Sequence, residues 1–212
     1  MPYPTPELIR TPTLHTARLE LHAVQLEDAA GLQAAFADWE VVRYLTHHVP
    51  WPYPEGETLR YLRDDALPAM DAGEEWHWTL RLRSEPDRVI GSACLMDETD
   101  NNRGFWLAKP YQGLGLMSEA CAALNRFWFM TLGRPAMRVA KAAMNEASCR
   151  LSRAEGMRLI KRHEELFVCG KAEEQIWEIT REEWLSRNVP VLRERPEVVS
   201  AKTQRPPEGG LC

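Results

Sequence analysis

The chain has 212 residues, 44% hydrophobic and 27% charged, with a formal net charge of −5. That length suits one domain with loose ends and is short for two, and the composition is that of a globular protein rather than a fibre or low-complexity segment. The negative balance argues against a nucleic-acid partner, whose phosphates need a positive face, and favours a cationic or amine-bearing one.

Five cysteines (Cys94, Cys121, Cys149, Cys169, Cys212) are scattered, odd in number and never spaced as CxxC. No disulfide framework or zinc knuckle is readable, and no metal is expected. The N-terminus lacks a basic start followed by an apolar stretch, and no apolar run approaches membrane-spanning length. These features point to a reducing, cytoplasmic setting with no membrane partner. Residues 1–15 carry four prolines, and residues 188–212 are rich in proline and charge. Such segments bury too little to offset their ordering entropy. The first is expected to be loose and the second disordered, leaving a folded domain over 16–187.

Residues 18–23 alternate apolar and polar, as a strand does. Asp28 then caps a helix with Leu32, Phe36 and Trp39 on one side. The proline-rich stretch 47–54 (HHVPWPYP) reads as a loop, and a helix from about Gly56 carries Leu59, Leu62, Ala66 and Met70. A strand over 76–83 places Trp76, Trp78, Leu80 and Leu82 on one face. A turn at 84–87 leads to a second strand over 89–96, and a third spans 104–108. The loop 109–115 passes into a long helix with Leu124, Phe127, Trp128 and Thr131 on one stripe. A strand over 137–142, a helix opening after Asn145, strands near 165–169 and 175–180, and a short helix at 181–184 complete the body. A hairpin-rich first half followed by β-α-β-α implies a mixed sheet with helices on both faces, an α/β (α+β) architecture.

The informative segment is Gln112-Gly113-Leu114-Gly115-Leu116-Met117-Ser118-Glu119-Ala120. A strand enters a glycine turn and then a helix N-terminus, where unpaired amides and the helix dipole can hold a diphosphate. A Walker loop would need Gly-Lys-Ser/Thr, and a dinucleotide fold would need its glycines after the first strand; neither is present. A ligand-free glycine turn is the third reading.

Other residues bear on that choice. Gln112 to Met117 resembles the Q/R-x-x-G-x-G/A signature of the GNAT superfamily of N-acetyltransferases, with Met117 departing at the last position. Gly104-Phe105-Trp106-Leu107 resembles the G-Y-W-L strand of its ribosomal-protein N-terminal acetyltransferase branch. Asn145-Glu146-Ala147-Ser148-Cys149-Arg150-Leu151 with Glu155-Gly156-Met157 resembles N-x-x-S-x-R-L…G-F, Thr16-Ala17-Arg18-Leu19 resembles T-x-R-L, and residues 179–184 resemble a common ending. The likeness runs through almost the whole body. It implies a mainly antiparallel central sheet, splayed where acetyl-coenzyme A enters.

The resemblance also implies roles. Trp106, Leu107 and Ala108 would meet the pantetheine arm through backbone groups, with the Leu107 amide able to polarise the thioester carbonyl. Gln112, Gly113, Leu114, Gly115, Leu116 and Met117 would give amides to the diphosphate, the side chains of Leu114, Leu116 and Met117 serving as packing. Asn145 reads as a helix N-cap, and the resemblance adds a cofactor contact. Ser148 is either a first-turn helix serine or a proton donor to the leaving sulfur, with a cofactor contact of its own. Arg150 meets a phosphate or faces solvent. Amine acylation needs a neutral nucleophile, and Asp97 and Glu98 are the candidate bases, with two solvated turn acids as the other reading. Trp51 and Tyr53 are candidate acceptor contacts on a loop, whereas Trp76 and Trp78 read better as core. His47 and His48 read as solvated. No nucleophile dyad is visible, so the amine is expected to attack the thioester directly.

The acceptor is either a protein N-terminal α-amine or a small amine such as an antibiotic, a polyamine or an amino acid. A non-catalytic acyl-coenzyme A sensor and an interaction protein with an idle glycine turn stay open. So does the oligomeric state, a homodimer included.

Overall fold

The computed structural model describes residues 8–188; residues 1–7 and the tail expected from 188 onward lie, but for Asn188, outside that range. Five strands form one sheet in spatial order: β1 (Leu14–His15), β2 (Leu19–Ala23), β3 (Glu75–Leu82), β4 (Glu85–Met96) and β5 (Arg103–Leu107). Three more, β6 (Ala136–Ala142), β7 (Arg158–Phe167) and β8 (Gly170–Thr180), form a second sheet in the order β6-β8-β7. Every pairing within both sheets is antiparallel.

The sheets meet between β5 and β6, which a helix, α5 (Leu116–Arg126), connects. They are stitched at one end only. The Asn102 N–H donates to the Arg138 carbonyl at 2.7 Å, the Arg138 N–H to Asn102 Oδ1 at 2.7 Å, and the Ala140 N–H to Asn101 Oδ1 at 3.3 Å. Past this stitch no ladder joins the two strands among the described residues, so their edges part toward Leu107 and Ala142.

Helices cover both faces, as expected. On one, Trp76, Trp78, Leu80, Leu95 and Leu107 pack against Leu116, Ala120, Leu124 and Phe127. On the other, Val24, Val89 and Trp106 pack against α1 (Ala29–Phe36) and a helical stretch made of α3 (Glu57–Tyr61), a π turn over Leu62–Ala66 and α4 (Leu67–Ala72).

Several expectations need correction. Residues 8–15 are not loose: Trp76 Nε1 donates to the Ile9 carbonyl at 2.8 Å, Trp78 Nε1 to that of Pro12 at 2.7 Å, and β1 pairs with β2. Asp28 is bonded by the Gln25 N–H and Arg81 rather than capping α1 with its side chain. Trp39 does not continue α1, because Asp38 caps a separate helix, α2 (Trp39–Val42), by accepting from the Glu40 N–H at 2.9 Å. Thr58 takes the inward place expected of Leu59, which is exposed. The long helix ends in a π turn over Phe127–Thr131, whose extra residue rotates the stripe so that Phe127, Trp128 and Phe129 are buried and Thr131 is exposed. β7 runs ten residues, ending two before Cys169. Its sequence RLIKRHEELF hides the strand because it lies at a sheet edge, where charge blocks unwanted pairing.

The core contains a fully buried cation. The Arg103 guanidinium bonds Asn125 Oδ1 and, at 2.9 and 2.7 Å, the Glu155 carboxylate on α6 (Glu146–Glu155). Glu155→Ala strands that charge and is expected to cost about 3–5 kcal/mol, read by urea denaturation. A loss below about 1 kcal/mol would show that Arg103 is solvated.

Candidate active site

β5 ends at Leu107; the Ala108 N–H donates back to the Ile90 carbonyl at 2.9 Å, and a single 3₁₀ turn over Lys109–Tyr111 leads into the glycine loop. Gln112 holds the loop to the strand: its Nε2 donates to the Leu107 carbonyl at 2.8 Å and its N–H to that of Lys109 at 3.2 Å. Gly113 and Gly115 have φ of 75° and 76°, left-handed values that a side chain would strain. Helix α5 starts at Leu116, and its first bond is from the Glu119 N–H to the Gly115 carbonyl. Among the described residues, the amides of residues 113–118 have no hydrogen-bond acceptor. Six consecutive N–H groups at a helix N-terminus are able to hold an anion. Gln112 belongs to the scaffold of this loop, its own amide being taken. Leu116 and Met117 pack in the core, whereas the Leu114 side chain, expected to pack, is 58% exposed.

The opening of the chain supports the same loop. Glu119 Oε1 accepts from Thr16 Oγ1 at 2.5 Å and from the Arg18 N–H at 2.7 Å, while Arg18 Nε reaches Oε2 at 2.7 Å. Arg18 Nη1 also donates to the Leu114 carbonyl at 2.9 Å. Burial alone would raise the Glu119 pKa, but these bonds outweigh it and hold the carboxyl below its ordinary value. Thr16-Ala17-Arg18-Leu19 and Ser118-Glu119-Ala120, read separately in sequence, are thus the two halves of one clamp.

The gap between β5 and β6 continues from the loop. The Ala108 N–H pairs with β4, so the alternation of an antiparallel ladder puts Trp106 with it and turns the backbone groups of Phe105 and Leu107 to the open edge. Of the three residues expected to offer backbone groups, only Leu107 does so, and Gln112 occupies its carbonyl, leaving its N–H. On the far wall Asn145 caps α6, its side chain accepting from the Ser148 N–H at 3.2 Å. Arg150 pairs with Glu146 at 3.3 Å on the exposed side of the helix. Ser148 Oγ accepts from Lys141 Nζ at 3.0 Å. Lys141 is 6% exposed and lies 5.3 Å from the centre of the Phe105 ring. Burial and then Arg103 push its pKa down to about 8, against the opposing pull of Cys121, Glu155 and Cys149. The sequence signal was available: Lys141 continues the inward alternation of Met137 and Val139.

The two candidate acids line one cavity near the stitched end but differ in their surroundings. Asp97 pairs with Arg134 at 2.8 Å near the stitched end, so it is not the free base expected. Burial and the neighbouring Glu75 raise the Glu98 pKa. Sequence reading missed His77, whose Nε2 lies 2.5 Å from Glu75 Oε2. With Phe36, Tyr53, Tyr61 and Trp106 it lines a cavity of about 80 Å³ on the face opposite α5. Tyr53 bonds Thr58 Oγ1 at 3.0 Å and packs edge-on against Phe36, whose ring contacts Trp106. Trp51 is exposed against Trp39, outside that cavity, while Trp76 and Trp78 are core on the opposite face, as expected.

The loop after α2 reaches the second sheet at the end of β7. Thr46 bridges to Phe167, the His47 N–H donates to the Leu166 carbonyl, and the N–H groups of Val168 and Cys169 donate to the carbonyls of Leu45 and Arg43. That ties the loop to the second sheet, while Tyr53 leans through Phe36 on Trp106 of the first. On the second sheet His163, Glu165 and Glu174 bring their polar atoms within 4.8 Å of one another. Burial raises the Glu174 pKa although His163, 3.1 Å away, pulls it down.

A family model described as the acetyltransferase (GNAT) domain matches residues 18–158. The chain belongs to the GNAT family of acetyltransferases, as the motifs implied, and it is an acyltransferase. Solved structures share the fold. RimL, a ribosomal L7/L12 α-N-protein acetyltransferase in complex with coenzyme A, is 16% identical with a TM-score of 0.68, over 81% of this chain and 99% of that one. A GNAT-family acetyltransferase from Bacillus anthracis is 17% identical with a TM-score of 0.67, over 81% and 100%. The ribosomal-protein-S5-alanine acetyltransferase from Vibrio fischeri is 17% identical with a TM-score of 0.65, over 82% and 98%. No curated protein matches the chain in sequence. Among the described residues, no helix is long and apolar enough to cross a membrane.

The clamp is tested by a double-mutant cycle of Arg18→Ala and Glu119→Gln, expected to give a coupling of about 1 kcal/mol at pH 7. Because the Glu119 pKa is lowered on folding, that stabilisation should persist above the ordinary carboxylate pKa and fade as pH falls below it. A pH-independent coupling would refute the assignment.

Proposed function

We propose that the protein transfers acetyl from acetyl-coenzyme A to the N-terminal α-amine of a protein or peptide by direct attack of the amine on the thioester. The observation that carries this reading is the run of six unpaired amides opening onto the gap between β5 and β6. The amides would hold the diphosphate, with Arg18 Nη2 beside Gly115 able to donate a further hydrogen bond. The pantetheine arm would follow the free edge of β5, where the Leu107 N–H can polarise the thioester carbonyl. That RimL is a complex with coenzyme A on the same fold supports the choice of cofactor. Asn145 would fix the first turn of α6, and Ser148 would meet the sulfur.

The acceptor side suits an α-amine. Its cavity of about 80 Å³ admits one small side chain, and the exposed Trp39, Trp51 and Tyr61 leave a broad apolar rim for the residues that follow. An α-amine titrates at about 7.7–8.0 against about 10.4 for lysine, so far more of it is neutral near pH 7. Glu98, with its raised pKa, and His77, held by Glu75, could take up the remaining proton. The neighbours named as ribosomal-protein acetyltransferases favour the same acceptor class. Aromatic lining of the cavity is the one feature that favours a small amine instead. The four described cysteines are all unpaired, which fits a cytoplasmic enzyme.

Thiol release from acetyl-coenzyme A should be stimulated by peptides beginning with alanine or serine and abolished when their N-termini are blocked. Turnover of small amines alone would overturn the peptide assignment, and coenzyme A binding without turnover on either panel would indicate a sensor. Gly115→Glu should abolish coenzyme A binding with the fold intact, by setting bulk and negative charge against the diphosphate. Ser148→Ala should lower kcat at least about tenfold with KM for acetyl-coenzyme A nearly unchanged; a wild-type kcat would remove its role.

A further inference from the structure

Lys141 is a buried ammonium whose bonding is incomplete. It has three N–H donors. Among the described residues its Nζ has one hydrogen-bond partner, Ser148 Oγ, and no carboxylate within 4 Å. Its neighbour Arg103, by contrast, has a counter-charge in the Glu155 carboxylate, with Asn125 as a further acceptor. A buried cation lacking a counter-charge is costly to fold, and the cost falls when an anion arrives beside it. Ser148 is configured to connect the two. Its N–H is spent on Asn145, its Oγ accepts from Lys141, and its hydroxyl hydrogen has no acceptor among the described residues, so that hydrogen is free to point into the gap.

We propose that Lys141 holds the departing coenzyme A sulfur as a thiolate by its charge and supplies, through Ser148, the proton that this sulfur takes up. This rests on the acetyl-coenzyme A reading above. The amine nitrogen forms a bond to the carbonyl carbon, and the C–S bond then breaks with its electron pair on sulfur. The sulfur takes the Ser148 hydroxyl proton while a proton passes from Lys141 Nζ to Ser148 Oγ, leaving neutral lysine. The proton lost by the acylated amine returns to Lys141 through solvent, so amine plus thioester gives amide plus thiol with no other reactant. A cysteine thiol titrates at about 8.5, so Lys141, brought to about 8 by burial and Arg103, is the stronger acid and the transfer to a thiolate runs downhill.

The groups around Lys141 come from every neighbouring element: Arg103 and Phe105 from β5, Cys121 from α5, Ser148, Cys149 and Glu155 from α6, and Gln175 opposite it on β8. Only Arg103 repels its charge, and Glu155 is committed to Arg103. Among the described residues, Lys141 is therefore the proton source near Ser148 that can discharge near neutral pH.

The test titrates the thiol of coenzyme A bound to the full chain, following thiolate absorbance in the ultraviolet. In the wild type it should ionise at least one pH unit below its value in Lys141→Met, and Lys141→Arg, which keeps the charge, should retain the lowered value. With acetyl-coenzyme A and an N-terminal alanine peptide, wild-type kcat should decline as pH rises through about 8, where the donor is lost. Lys141→Met should lose at least tenfold in kcat and show no such decline, with KM for acetyl-coenzyme A within threefold. Arginine cannot give up its proton in this range, so Lys141→Arg should lose the decline as well and stays informative if Lys141→Met does not fold. An unchanged thiol titration in Lys141→Met, or a wild-type alkaline decline in Lys141→Arg, overturns the proposal. Acetyl-coenzyme A that binds and is turned over normally in those variants sinks this relay alone, whereas coenzyme A that fails to bind the wild type sinks the parent reading with it.

Discussion

The structure depends on a ladder that stops. Asn101 and Asn102 tie the start of β5 to β6 through side chain and backbone together, after which the two strands pair with nothing between them. An unpaired strand edge inside a domain leaves main-chain donors and acceptors exposed, and such groups need partners. Here the edge is placed where a linear amide-bearing ligand can supply them. Parting also explains the second sheet: β6, β8 and β7 take up the rest of the chain and form the opposite wall.

The glycine loop lies at the open end of that gap, and its conformation is over-determined. Two left-handed glycines expose the amides, Gln112 ties the loop to the strand it leaves, and the Thr16–Arg18–Glu119 clamp fixes the helix start from a segment about a hundred residues earlier. Glu119 is a first-turn acid, which the helix dipole favours, yet a bare carboxylate there would repel a phosphate. Bonding by Arg18 and Thr16 lets the helix keep the acid without presenting a free negative charge to the loop. Across the gap, Asn145 and Ser148 are held by capping and Lys141 by burial.

What was legible in the sequence follows from the kind of signal each feature leaves. Trp76, Trp78 and Leu80 on β3 and the strand–glycine–helix passage around Gly115 obey short local rules, and they appear where periodicity and turn chemistry put them. β7 was mostly missed because an edge strand carries charge instead of an apolar alternation. Thr131 was misplaced because a π turn shifts phase without marking the sequence. The anchoring of residues 8–15 escaped notice because it is made by indole N–H groups reaching main-chain carbonyls, a contact that proline content does not forecast. Asp97 and Glu98, adjacent and chemically alike, differ in that Arg134 reaches the first while burial and Glu75 act on the second. His77 was read as part of a strand; the period of two sets Glu75 beside it, but nothing local says that this face lines a cavity.

The central claim is that main-chain amides, not side chains, grip the cofactor. It is tested most directly by following backbone amide resonances during titration with coenzyme A. The account predicts that the N–H signals of residues 113–118 and of Leu107 move furthest, with those of β7 and α7 (Arg181–Asn188) nearly still. Saturable binding that leaves the 113–118 amides unmoved while shifts cluster elsewhere would contradict it.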